Sequence, residues 1–152
     1  MNVPGEFIEA FATNVPFALR ELAGIEAVVR DSGPPTGADD LASVCAVIRL
    51  TGPGGDGRLV LSLPTQTATE LTQKILAGTT GGVTADLIRD CMGEVANVIA
   101  GQAKALLVGT PSHFTLSTPE VRAGGAADGF EGWSIRFESD CGPFVVLLCP
   151  PT

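Results

Sequence analysis

The chain has 152 residues, 45% hydrophobic and 17% charged, with 17 acidic against 9 basic side chains and a formal net charge of −8. A length and apolar content of this order predict a single domain over 1–152 with a real core and argue against disorder. An acidic surface disfavours nucleic-acid phosphate and anionic membranes as partners.

The apolar stretches near 41–50 and 143–149 are too short to span a bilayer. Met1 to Leu22 carries Glu6 and Glu9 and lacks a basic leader, so no signal peptide is expected. Cys45, Cys91, Cys141 and Cys149 lie far apart, with no CxxC pair, and His113 is the single histidine. No structural zinc site is expected, and the cysteines read as reduced, buried residues of a cytoplasmic protein.

In chain order, Gly5 to about Ala23 reads as a helix with Phe7, Ile8, Phe11, Val15, Leu19 and Leu22 on its apolar face. Pro16 should kink or restart it. Residues 24–31 read as a strand, 32–38 as a Pro/Gly loop and about 41–51 as a second strand. Gly52 to Gly57 is a hairpin turn, and Arg58 to Leu63 the returning strand. Thr65 to Leu76 forms a short helix after Pro64. The glycine-rich linker 78–82 then leads into a long helix over about 84–108, with Thr84 as its cap. His113 follows a Pro-Ser turn and reads as a loop or strand-edge residue. Strands follow at about 113–118, 132–139 and 143–149, the last two joined by a turn around Cys141-Gly142, and the Gly/Ala-rich loop at 123–129 reads as mobile.

A weak internal repeat overlies these elements. Val47 to Thr51, a turn and Leu59 to Pro64 echo Ser134 to Glu138, a turn and Phe144 to Pro150. The chain thus reads as a helix plus three strands, written twice, with a short helix between. The predicted class is α+β: a two-layer sandwich whose mostly antiparallel sheet is covered on one face by two long helices. Where the second helix has Asp90, Glu94 and Asn97, the first has Phe7, Phe11 and Asn14. Only the asparagine matches, so one chemically equipped site per chain is expected.

The long helix carries the chemistry. Asp90, Glu94 and Asn97 share one face, continued by Gly101 and Lys104, while Ile88, Met92, Val95, Ile99 and Leu106 fall roughly opposite. Other chemistries lack their residues. Serine or cysteine catalysis would rest on His113 alone, with no GxSxG motif. The Gly52 to Gly57 run lacks the Lys-Ser/Thr and the following helix of a phosphate cradle. Exposed helix faces routinely carry Asp, Glu and Asn, so the stripe also reads as mere solvated surface. Asn97 and Gly101 are nevertheless weak helix formers, each costing about 0.5–1 kcal/mol relative to alanine. Their placement on one stripe suggests a surface that something approaches closely.

Asp90-x3-Glu94-x2-Asn97 with a downstream proline resembles the (Asp/Ser)-x3-Glu-x2-Asn-x22-Pro signature of the CheC/CheX/FliY chemotaxis phosphatases. The run Gly93 to Gly101 is similar to the motif helix of that family. Phe7-Ile8-Glu9-Ala10 through Gly24-Ile25-Glu26 is similar to the CheX opening helix. The single intact site also resembles CheX, since CheC usually carries two. Pro119 departs from the pattern by lying one residue closer to Asn97, as a one-residue loop deletion would place it.

The resemblance implies a phosphatase for the aspartyl phosphate of a CheY-type response regulator. It implies that Asn97 orients the attacking water, Glu94 docks against the regulator's lysine and Asp90 supports the motif from near the helix start. No cofactor of the chain's own is implied, because the regulator would supply the divalent metal, Mg2+. A homodimer through an exposed sheet edge is implied too. A docking or scaffold module that binds a regulator without hydrolysis is the alternative.

Overall fold

Helix α1 runs from Gly5 to Ala23. Pro4 precedes it, accepting at its carbonyl from the amides of Phe7 and Ile8. The helix ends where Gly24 takes φ 64°, letting the Gly24 amide reach Arg20 O and the Ile25 amide reach Leu19 O. Pro16 lies within α1 without ending it, so the expected restart does not occur. The cap at Gly24 also delays the first strand. Strand β1 spans Ala27–Gly33 and not 24–31.

The computed structural model describes residues 3–36, 44–77, 82–123 and 131–151. The expected strand start at 41–43, most of the linker 78–82 and the loop beyond residue 123 lie outside the described residues, as do the last two residues of the 32–38 loop. Strand β2 (Val44–Gly52) turns through Pro53-Gly54 into β3 (Gly55–Leu63), and α2 (Thr65–Ile75) follows. Helix α3 spans Ala85–Leu106. The strand expected at 113–118 is instead two short pieces, β4 (Thr115–Leu116) and β5 (Glu120–Arg122), which flank Pro119. A proline lacks the amide that continuous pairing needs. Strands β6 (Trp133–Ser139) and β7 (Phe144–Cys149) follow.

The seven strands among the described residues all pair antiparallel, in the order β1-β6-β7-β3-β2-β4, with β5 also on β2. Exchanging α1-β1-β2-β3 for α3-β4/β5-β6-β7 maps this order onto itself, a symmetry of arrangement. Alternation along each strand sends Ala46, Ile48, Leu50, Leu59, Leu61, Leu63, Ile135, Phe137, Val146 and Leu148 into one core with the buried residues of the three helices. Among the described residues, the opposite face carries a small cluster of buried Cys45, Val60 and Leu147, with Val47, Val145 and Cys149 packed against it and no helical residue in it. The architecture is therefore the expected two-layer α+β sandwich, helices on one side.

Aromatic packing anchors α1 in it. Phe7, Phe11 and Phe114 are buried with ring centroids 5.2–6.3 Å apart. Full burial of such a side chain contributes about 1.5–3 kcal/mol. Phe7, Phe11 and Asn14, the residues set against the stripe by the repeat pattern, all point inward.

Candidate functional site

The site is one exposed face of α3, and its rigidity comes from the opposite face. Met92, Val95, Ala96, Ile99, Ala100 and Ala103 are each at most 2% exposed. Thr84 caps the helix as expected, its hydroxyl oxygen accepting from the Leu87 amide at 3.2 Å. Ile88 is only half-buried, and Leu106, expected inside, is 58% exposed. The chain leaves helical geometry at Leu107, and that residue takes the buried position.

Asp90 and Glu94 are exposed and Asn97 is half-buried, so the structure brings the three predicted residues onto one open surface. At 100° per residue, Asp90, Glu94, Asn97, Gly101 and Lys104 fall within an arc of about 80°. Glu94 and Asn97 are offset by about 4.5 Å along the axis. Among the described residues, no hydrogen bond or ion pair engages the side chains of Asp90, Glu94 or Asn97. A carboxylate, a carboxamide acceptor and two amide donors are therefore held on a packed helix with nothing among the described residues competing for them.

Asp90 stands in the second turn of α3, whereas Asp86 occupies the first. The helix dipole acts chiefly over the first turn. Favouring the dipole is thus the part of Asp86, a residue on the same stripe that pattern matching to the motif passes over. The electrostatics of the stripe reach inward as well. Burial pushes the Cys91 thiol above its ordinary value and the Glu94 carboxylate adds to this, while a hydrogen bond with Thr72 opposes it.

Pro119 borders the stripe. A Cβ built on Gly93 would sit 3.5 Å from Val121 Cγ2 and 3.8 Å from Pro119 Cβ. The motif's glycine and the downstream proline therefore meet across the flank of α3, despite the shortened spacing. Gly101 has open space around it. Cys45, Cys91 and Cys141 are buried, Cys149 is half-buried, and all four are free thiols. His113 lies in the loop before β4. No group of three or more His, Cys, Asp or Glu among the described residues is arranged to hold a metal ion. No helix among them is long and apolar enough to cross a membrane.

A family model described as chemotaxis phosphatase CheX matches residues 44–138, more than half of the chain. The chain belongs to the CheX family. The matched region contains the stripe of α3 and Pro119. CheX of Vibrio vulnificus has a similar structure, with TM-score 0.81 and 22% identity over 95% of this chain and 99% of that one. CheX of Desulfovibrio desulfuricans has TM-score 0.79 and 25% identity over 95% and 99%. A chain of the Borrelia burgdorferi CheX-CheY-BeF3-Mg2+ complex has TM-score 0.77 and 18% identity over 96% and 98%. No match was found among curated proteins. The family resemblance read from the α3 motif and the sandwich predicted from the strand pattern both hold.

Proposed function

We propose that this chain hydrolyses the aspartyl phosphate of a CheY-type response regulator. The observation that carries the reading is the pairing of uncommitted Glu94 and Asn97 side chains on the packed helix of a member of a chemotaxis phosphatase family. A structurally similar CheX has been solved in complex with CheY, which supports the choice of partner.

In this reaction a water attacks the phosphorus as the bond from phosphorus to the aspartate oxygen breaks. The carboxylate leaves, and the water's proton departs with the inorganic phosphate. Asn97 accepts from that water at its amide oxygen and holds it in line. Glu94 pairs with a lysine of the regulator and so sets the docking angle. Asp90 supports the same surface. Divalent metal, Mg2+, belongs to the regulator and enters as part of the substrate. Such catalysis is positioning and electrostatics around a loose phosphoryl transition state, which demands no nucleophile of the phosphatase.

We also propose a homodimer through the free edge of β1, where Val28 is 62% and Val29 42% exposed. Unpaired edge groups and exposed β-branched side chains suit pairing with a second copy.

The test is phosphate release from a regulator phosphorylated with acetyl phosphate in Mg2+, with and without the chain. Asn97→Ala should abolish the acceleration and Glu94→Ala should weaken it, both with unchanged thermal melting. Full activity in both variants would overturn the mechanism. Binding of the phosphorylated regulator without any acceleration would point to the non-catalytic docking module.

A further inference from the structure

The stripe on α3 has an order of charge that the roles of Glu94 and Asn97 leave unused. Asp86, Asp90 and Glu94 are exposed at its N-terminal end, and Lys104 stands in the last turn. Seven residues separate Lys104 from Asn97, about 10.5 Å along the axis and only about 20° around it. Lys104 therefore shares the open face of Asn97. The Cα–Cβ bonds of a helix tilt toward its start, so the Lys104 stem sets out over the turn that holds Gly101. Space there is open, because a Cβ on Gly101 would meet nothing within 4 Å. Lys104 is half-buried. A lysine in that state lays its methylene stem along the surface and keeps its ammonium in water.

That charge is not used within the chain. Among the described residues the Lys104 side chain makes no ion pair or hydrogen bond, whereas Arg20, Arg30, Arg122 and Arg136 each pair with a carboxylate. Asp86, Asp90 and Glu94 are unpaired as well. Glu94 lies ten residues from Lys104, about 15 Å along the axis, beyond the screening length of about 8 Å at physiological salt. The two ends of the stripe do not neutralise each other, and each is left to act on a partner.

In the reaction proposed above, the regulator brings groups of both signs to this face. Its lysine meets Glu94. Its Mg2+ is a hard cation held by oxygen ligands, so carboxylates gather on the metal side. Laid one way along α3, that acidic side faces Lys104. Laid the other way it faces Asp86 and Asp90, and like charges set against each other suppress such a complex.

We infer that Lys104 is a docking residue, pairing with a carboxylate on the rim of the regulator's metal site and so fixing the direction in which the regulator lies along α3. The inference rests on the function proposed above. Lys104 acts in docking and touches none of the reacting atoms, whereas Asn97 acts in turnover.

The experiment is a steady-state titration of the full chain with a CheY-type regulator phosphorylated by acetyl phosphate, at low and high salt, paired with calorimetric binding of the same regulator. At low salt Lys104→Gln should raise the half-saturating concentration about threefold and Lys104→Glu about tenfold, because rim charges govern encounter. The maximal rate should stay within about twofold of the parent, and Lys104→Arg, which keeps the charge, should match the parent. At about 1 M salt, where the screening length is about 3 Å, the differences should vanish. A lysine in the last turn also favours the helix dipole. If that were its whole role, Lys104→Glu would melt lower with half-saturation unmoved, which overturns the inference. A loss confined to the maximal rate overturns it too. Unchanged half-saturation in Lys104→Glu, alongside an inactive Asn97→Ala, overturns the docking role while leaving the phosphatase reading intact. If the parent accelerates nothing, the phosphatase reading fails. In that event weaker calorimetric binding by Lys104→Glu upholds the docking role, and equal or absent binding overturns it.

Discussion

The side-chain amide of Asn14 donates to the main-chain carbonyl of Ile99 at 3.1 Å, a buried bond between the two long helices. It links α1 to the part of α3 just beyond Asn97. The asparagine of the first helix is therefore a tie holding the site's support in place, whereas Asn97 stands half-buried on the open face of α3. Two identical side chains differ in role because one helix face packs inward and the other does not.

Asn14→Leu removes that bond and leaves a buried site to be repacked. A loss of about 1–3 kcal/mol is expected, the usual cost of disturbing a buried hydrogen-bonded group. Urea denaturation measures it. A midpoint equal to that of the parent would show that the tie contributes nothing to stability.

Gly101 separates fold from function in a single position. Its Cβ would meet nothing within 4 Å, so Gly101→Ala should stabilise the free protein by about 1 kcal/mol through helix propensity. The added methyl also projects from the docking stripe and should raise the half-saturating concentration of phosphorylated regulator severalfold. Higher stability with unaltered regulator affinity would remove Gly101 from the docked surface. Gly93→Ala should stabilise too, since its methyl would only touch Val121 and Pro119 at ordinary contact distance.

Gly57 is the opposite case. A Cβ there would overlap the carbonyl oxygen of Cys149 and the backbone of Pro150 and Pro151, none of which is a movable side-chain tip. Gly57→Ala should separate the ends of β3 and β7 and destabilise the fold by about 2 kcal/mol or more, the range of overpacking. Thermal melting reads the effect. A variant as stable as the parent would mean that the Cys149–Pro151 segment yields freely.

The buried thiols set an alkaline limit. Burial raises the Cys91 thiol, with Glu94 adding to it, and burial likewise raises Cys141. A group whose folded value lies above its unfolded one holds its proton more firmly when folded. The stability it confers is whole below the unfolded value, about 8.5 for a thiol, and is lost as pH rises through the folded one. The denaturation midpoint should be level at neutral pH and fall above about pH 9. The chain has no tyrosine to confuse that window. Cys91→Ala should fall less steeply than the parent; identical slopes would exclude this thiol as a source of the loss.

Local patterns made much of this legible from the chain alone. Thr84 before an apolar helical run and alternating strands around Gly52 to Gly57 are short-range signals, and each marks the element expected of it, whereas Gly24, read as the start of a strand, proves to be the cap of α1. The Asp90, Glu94, Asn97 stripe was legible for the same reason, because helical spacing alone sets which residues share a face. Residues such as Leu106 and the strand around Pro119 were not. Their burial and pairing depend on where the sheet ends and what lies beside it, and amphipathic spacing carries no such information.

The sequence by itself therefore determined most of the elements, the sandwich class and the motif face, which follow from local periodicity and residue chemistry, while the family came from the resemblance of its motif. Tertiary structure decided which faces are open. Packing α1 against α3 buried Phe7, Phe11 and Asn14, left Asp90, Glu94 and Asn97 uncommitted and set Pro119 over Gly93. Exposure is a property of neighbours distant in the chain, and only the folded arrangement brings those neighbours together.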